Sequence, residues 1–165
     1  MIHVKVSAAV YPTEDSEKVT RAISALFIGI PIEKEAIETT EPARSETEVS
    51  PSFFLSGGGG LNLLLTFHGL IRREKIIDSI RNKVFSKGLS RDGLSVRFFL
   101  NKQAAFVGIP SIPAREESLG AIEVVIRADS PEEMERLFEW LLPLTEEGKP
   151  VVEVEMDYVE KGRGV

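Results

Sequence analysis

From Ile2 to Val10 the chain alternates, with Ile2, Val4, Val6, Ala8 and Val10 on one side and His3, Lys5 and Ser7 on the other. A two-residue period predicts a strand with one buried face. Tyr11-Pro12-Thr13 ends it, and Asp15 can cap a helix with Glu17 in the dipole-favoured first turn. Val19, Ala22, Ile23, Leu26 and Phe27 then recur at helical spacing as far as Gly29. Ile32 to Thr39 reads as a short edge strand. Thr39 to Ser52, rich in Glu, Thr, Ser and Pro, reads as a loop, and the Gly57 to Gly60 run reads as a flexible connector. Residues 39–60 are thus expected to form a mobile insertion. A phosphate loop needs Lys and then Ser or Thr after its glycines, whereas Leu61 follows these.

Leu64, Phe67, Leu70, Ile71, Ile77, Ile80 and Val84 keep helical register, although Leu63 to Leu65 alone would also fit a short strand. The register predicts a long helix over 61–85, interrupted at Gly69 and ending at a Lys87-Gly88 cap. Asp78 and Arg81, three residues apart, are a candidate pair. After the Arg91-Asp92-Gly93 turn, Leu94, Val96, Phe98 and Leu100 alternate with Ser95, Arg97, Phe99 and Asn101. Ala104 to Gly108 reads as a second short strand and Ile109 to Ser118 as a Pro-punctuated loop. Ile122, Val124 and Ile126 mark another strand. Ser130-Pro131-Glu132-Glu133 opens a helix whose buried stripe is Met134, Leu137, Phe138, Leu141 and Leu142, with Trp140 in the core or an interface. Val152 to Tyr158 reads as a last strand with Glu153, Glu155 and Asp157 opposite, and 161–165 as a frayed tail. The prediction is one domain over 1–165. Its class is α+β, a mainly antiparallel sheet with helices packed on one face.

The composition narrows the chemistry. The chain has no Cys and only two His, His3 and His68. That removes disulfides, thiolate catalysis and Cys-ligated metals, and no metal or cofactor is expected. His3 reads as a surface strand residue and His68 as packed or hydrogen-bonded. No apolar run approaches the roughly 18 residues of a membrane span, and the N-terminus, which alternates like a strand, does not read as a signal peptide. The expectation is a cytoplasmic protein with no membrane partner. Asn62, Asn82, Asn101 and Gln103 are the only amides, which fits a heat-adapted source.

The net charge of −6 is unevenly spread: Arg72 to Lys102 holds nine bases and three acids, or +6. The remainder, eleven bases and twenty-three acids, carries −12. Such asymmetry suggests a surface for an anionic partner, or a solvated helix face balanced by acidic neighbours. Within the basic stretch, Asn101-Lys102-Gln103 ends a strand whose outer face offers Arg97 and Phe99. Cations, amides and an aromatic on one sheet face can contact phosphate and stack a base. The candidate RNA or anion site is Arg72, Arg73, Arg81, Arg97, Phe99, Asn101, Lys102 and Gln103. The other reading of the trio is a turn whose amides satisfy backbone groups. Lys102, Ala105, Phe106 and Val107 match part of the RNA-recognition-motif signature, whose first and last aromatics are missing here. Glu153, Glu155 and Asp157, about 6.8 Å apart along a strand, are too widely spaced for a paired-carboxylate centre. No catalytic residue is assigned. An enzyme would have to use Lys, Arg and carboxylates, with Lys102 the base to test, and Lys102 is expected at a partly open sheet end.

Four segments carry a resemblance. Tyr11-Pro12-Thr13-Glu14-Asp15-Ser16-Glu17-Lys18-Val19, the stretch Arg72 to Arg81, Leu100-Asn101-Lys102-Gln103-Ala104-Ala105-Phe106, and Trp140-Leu141-Leu142-Pro143-Leu144-Thr145 with Gly148 and Pro150-Val151 occur in this order. Together they resemble an archaeal family of uncharacterised proteins, number 0201 in the UPF series. The pattern departs in lacking a Pro soon after Phe27 and a Lys after Gly108. The resemblance implies a fold similar to the large-subunit ribosomal protein that binds 5S RNA, and it implies no established activity. The expected function is a non-enzymatic binding protein, associated with RNA or a ribosomal component through its basic surface. The alternative is a protein-interaction module or homodimer, with the acidic and basic surfaces complementary.

Overall fold

The alternation of β1 (His3–Val10) buries Val4, Val6, Ala8 and Val10 and leaves His3 and Lys5 in solvent. The structure, a computed structural model, describes residues 1–36, 50–113 and 120–162. β1 pairs antiparallel with β3 (Phe53–Gly59) on one side and β5 (Ile122–Arg127) on the other. β2 (Ile32–Ala36) extends the sheet beyond β3, and β4 (Ser95–Leu100) extends it beyond β5. The order is β2-β3-β1-β5-β4, antiparallel throughout. Directly opposed residues share a face. One inward row therefore runs Ile32, Gly57, Val6, Val124 and Phe98, and the next outward row runs Glu33, Ser56, Ser7, Glu123 and Phe99.

The helices supply the other layer. α1 (Ser16–Leu26) starts where the Asp15 carboxylate accepts the Glu17 N–H at 2.9 Å, and it buries Val19, Ala22, Ile23 and Leu26. A 3-10 turn (Leu61–Leu64) leads into α2 (Leu65–Arg73), and α3 (Ile77–Lys83) runs into a π turn (Val84–Gly88). α4 (Lys102–Phe106) follows β4. α5 (Pro131–Leu141) opens on Ser130, whose hydroxyl accepts the Glu133 N–H at 3.1 Å. A two-residue hairpin, β6 (Thr145–Glu146) with β7 (Lys149–Pro150), precedes α6 (Asp157–Lys161). Phe27, Phe67 and Phe98 stack in series at 5.3 and 5.7 Å between centroids, joining the end of α1, α2 and β4. The inward rows and the buried helix stripes form one hydrophobic cluster, which is the predicted α+β arrangement with helices on one face.

Four local expectations are corrected. Gly57, Gly58 and Gly59 lie in β3, all three paired with β1 and Gly57 also with β2. A Cβ at Gly57 would overlap the Pro31 carbonyl oxygen, and one at Gly58 would sit 2.8 Å from the Val4 carbonyl oxygen. These glycines permit close approach of backbone in a sheet and are not a flexible connector. Of the predicted 39–60 insertion, 39–49 lies outside the described residues, as do 163–165 of the predicted tail.

The long helix breaks at Lys75, not at Gly69. Lys75 takes φ +56°, and the Ile76 N–H bonds the Ile71 carbonyl while the Lys75 N–H bonds that of Arg72. That paired pattern is a Schellman stop with Lys where Gly is usual. The predicted strand at 104–108 is α4, because the Asn101 side-chain oxygen accepts the Ala104 N–H at 2.8 Å and starts a helical turn. The predicted strand at 152–158 is irregular chain leading to α6. Val152 is 66% exposed, so its alternation marks no buried face, and Val159 on α6 is buried instead.

Gly69 lies inside α2 with nothing within 4 Å of where its Cβ would sit. Gly69→Ala should therefore stabilise the protein by about 0.5–1 kcal/mol, measured by urea unfolding. A loss of stability would instead mark a true break at this position.

Candidate nucleic-acid interface

The helices cover one face of the sheet; on the outward face His3, Lys5, Arg97, Phe99 and Arg127 are exposed, while Ser56 is buried. Lys5, Val125 and Arg97 form one outward row, and His3, Arg127 and Ser95 form the next. Strand spacing of about 4.8 Å gathers these cations at one end of the face. Toward the other end stand two exposed aromatics, Phe99 at 44% and Phe54 at 37%. Exposed aromatic rings on a sheet face can serve as stacking platforms for bases. Arg97 is 61% exposed and holds Glu123 loosely, with Nε 3.7 Å from Oε1. The Ser56 hydroxyl donates to Glu35 at 2.6 Å. A groove of about 370 Å³, lined by Lys5, Pro31, Glu33, Ser56, Gly57 and Gly58, opens beside the cationic end.

The structure divides the predicted site. Only Arg97 and Phe99 lie on this face. Arg72 is on the helical side and only 15% exposed. Its guanidinium donates to the carbonyls of Trp140 at 2.8 Å and His68 at 2.9 Å and to Glu153 at 2.7 Å. It thus closes the C-terminal end of α5 and ties down the chain after β7. Arg81 donates to the Leu142 carbonyl at 2.8 Å and lies 4.8 Å from the Phe85 ring centroid. Arg73 is exposed but bonds Glu74 and the Gly108 carbonyl. Asp78 accepts from the Thr145 hydroxyl at 2.6 Å, so the expected Asp78–Arg81 pair gives way to contacts with the segment after α5.

The trio is likewise divided. Asn101 caps α4, Gln103 is exposed, and Lys102 is only 9% exposed. The Lys102 ammonium donates to the Ala9 carbonyl at 2.6 Å and to Glu14 at 3.0 Å, 5.4 Å from the Tyr11 ring centroid. A buried cation must be paired and hydrogen-bonded, and Lys102 does this by fastening α4 to the chain between β1 and α1. The expected open position for Lys102 is therefore corrected. The +6 stretch does not form one surface, because Arg72, Arg73 and Arg81 stand on the helical side and Arg97 on the opposite face. Lys5, Arg127 and Phe54 join the face only through strand register. The outward phase of Lys5 and Arg127 is legible in alternation, whereas Phe54 falls in the stretch expected to be an insertion, and the neighbours that all three meet are set by register.

His68 stacks on Trp140 at 4.4 Å between centroids, and its Nε2 is buried without a hydrogen-bond partner among the described residues. Burial, reinforced by the nearby Arg72 charge and opposed by Glu153, lowers its pKa from 6.5 to about 4. Arg72 hydrogen bonds hold the Glu153 carboxyl below its ordinary range. Among the described residues no helix is long and apolar enough to cross a membrane.

An open antiparallel sheet face carrying exposed aromatics and cations is a surface type on which some α+β domains stack single-stranded bases. Residues 3–128, which include all of this face, match a family model described as RNA binding. A UPF0201 protein of Methanosarcina acetivorans is 76% identical over 98% of this chain and 97% of its own length. A second, from Methanopyrus kandleri, is 38% identical over 92% of this chain and 91% of its own. The crystal structure of a UPF0201 protein from Methanococcus jannaschii superposes with a TM-score of 0.72 at 27% identity, covering 91% of this chain and 99% of that one. The chain belongs to the UPF0201 family.

The His68 environment has a measurable consequence. Its folded pKa lies below its ordinary value, so the unfolded chain takes up the proton first and stability falls as pH drops from about 6.5 toward 4. Glu153, also depressed, adds its contribution above its ordinary value of 4.5 and loses it below. Urea unfolding across pH 4 to 8 should show a loss of up to about 1.4 kcal/mol per pH unit in the His68 window. His68→Phe, which keeps the stack on Trp140, should flatten it.

Proposed function

We propose that this protein is a non-enzymatic RNA-binding protein that uses the outward face of its sheet. The observation that carries this reading is Phe99, exposed beside Arg97 on a face that lies within the residues matched by the RNA-binding family model. Lys5, Arg97 and Arg127 supply phosphate contacts, and Phe99 and Phe54 supply stacking. The net charge of −6 opposes broad, non-specific attraction of a polyanion, so binding concentrates on this face. A ribosomal component is one RNA partner of this kind, and cosedimentation with ribosomal subunits tests it.

Titration of a labelled single-stranded RNA should give a log–log salt slope near −2, for about three neutralised phosphates. Phe99→Ala should weaken binding by about 1–3 kcal/mol, and Arg97→Ala should weaken it with a shallower salt slope. Arg72→Ala gives the contrast. It should cost about 2 kcal/mol of stability while the folded protein keeps its RNA affinity. Weakened binding in folded Arg72→Ala with none in Phe99→Ala would place the interface on the helical side and overturn the reading.

A second reading, an assembly module, draws on the exposed Leu144, Val151 and Val152 around the β6–β7 hairpin. Sedimentation equilibrium over a wide concentration range tests it, with a single monomer mass counting against it.

A further inference from the structure

We infer that the ligand is single-stranded RNA containing an unpaired guanine, read by Phe99, Glu123 and Arg97; this rests on the RNA-binding reading above. A carboxylate within a phosphate-binding face is repulsive unless it meets something other than phosphate. Glu123 holds such a place: it is the direct cross-strand partner of Phe99 and lies on the same outward row. Its side chain is partly exposed, with Arg97 beside it at 3.7 Å. Directly opposed side chains start about 5 Å apart, so a base lying on the Phe99 ring brings its edge to the Glu123 carboxylate.

An ionised carboxylate only accepts hydrogen bonds, at two oxygens. It is matched by two adjacent N–H donors in one plane. Among the four bases, guanine alone presents such a pair, N1–H and N2–H, on its Watson–Crick edge. Uracil presents one N–H between two carbonyl oxygens, which a carboxylate repels. Cytosine and adenine each place one amino group next to an acceptor nitrogen. The Watson–Crick edge is hidden in a duplex, so the guanine must be unpaired. Arg97 orients the carboxylate, and its exposed guanidinium remains able to reach the adjoining phosphate. Glu33, on the same row at the far edge, lines the groove with Lys5, which pairs the second carboxylate of this row with a cation-lined groove.

The experiment is fluorescence anisotropy of the full chain with labelled octauridylate and with the same octamer carrying one central guanosine, inosine, adenosine or cytidine. Guanosine should bind at least about 10-fold more tightly than uridine, adenosine or cytidine, following the discrimination typical of a bidentate pair. Inosine, which keeps N1–H and lacks the 2-amino group, should lose most of that gain. Glu123→Gln, with its fold checked by circular dichroism, should remove the guanosine preference while octauridylate affinity is kept or improved. If that variant does not fold, the guanosine–inosine comparison on the unmodified protein decides alone. Equal binding of all five octamers would overturn the guanine assignment and leave the RNA-binding reading standing. Binding of none of them would overturn both.

Discussion

A sheet covered on one face only cannot tolerate a slip in register. Moving any strand by one residue would exchange its core side chains for its solvent side chains. In this protein the constraint centres on β1, which pairs with both β3 and β5 and supplies Val4, Val6, Ala8 and Val10 to the core. The stacked Phe27, Phe67 and Phe98 fix the helical layer over that inward face. The glycines of β3 follow from the same crowding, because the Pro31 and Val4 carbonyls occupy the space a side chain would need. With the inward side settled, the outward side is free to carry polar and aromatic groups selected for something other than packing.

Much of the positive charge in the middle of the chain is consumed within the fold. Arg72 satisfies carbonyls at the end of α5 and binds Glu153, and Lys102 does the same for the Ala9 carbonyl and Glu14. Removing one partner of the buried Lys102–Glu14 pair leaves an uncompensated charge, so that contact holds segments in place more than it adds net stability. The two sets of contacts join stretches far apart in sequence: α2 with the end of α5, and α4 with the chain before α1. The cations on the outward sheet face are fewer, and they sit on different strands. An overall acidic molecule thus carries its outward cations on one local face, within the residues matched by the RNA-binding family model.

The amino-acid sequence by itself determined the α+β class, the inward and outward phases of β1, β4 and β5, and the caps at Asp15 and Ser130. Alternation, helical spacing and capping act within a few residues, so they can be read from neighbours along the chain. The resemblance of its four motifs to the UPF0201 family was legible for the same reason. Tertiary structure decided the rest. Asn101 reads as a binding amide until the Ala104 N–H is seen on it, and Lys102 reads as a free cation until Glu14 is beside it. The alternation at 152–158 is local and real, but the packing of α6 against α5 through Val159 overrides it. Phe99, Glu123 and Arg97 meet because β4 and β5 pair in one register, and Lys5 and Arg127 join them through β1. Register is set by the summed burial of all five strands, a long-range quantity that no window along the chain contains.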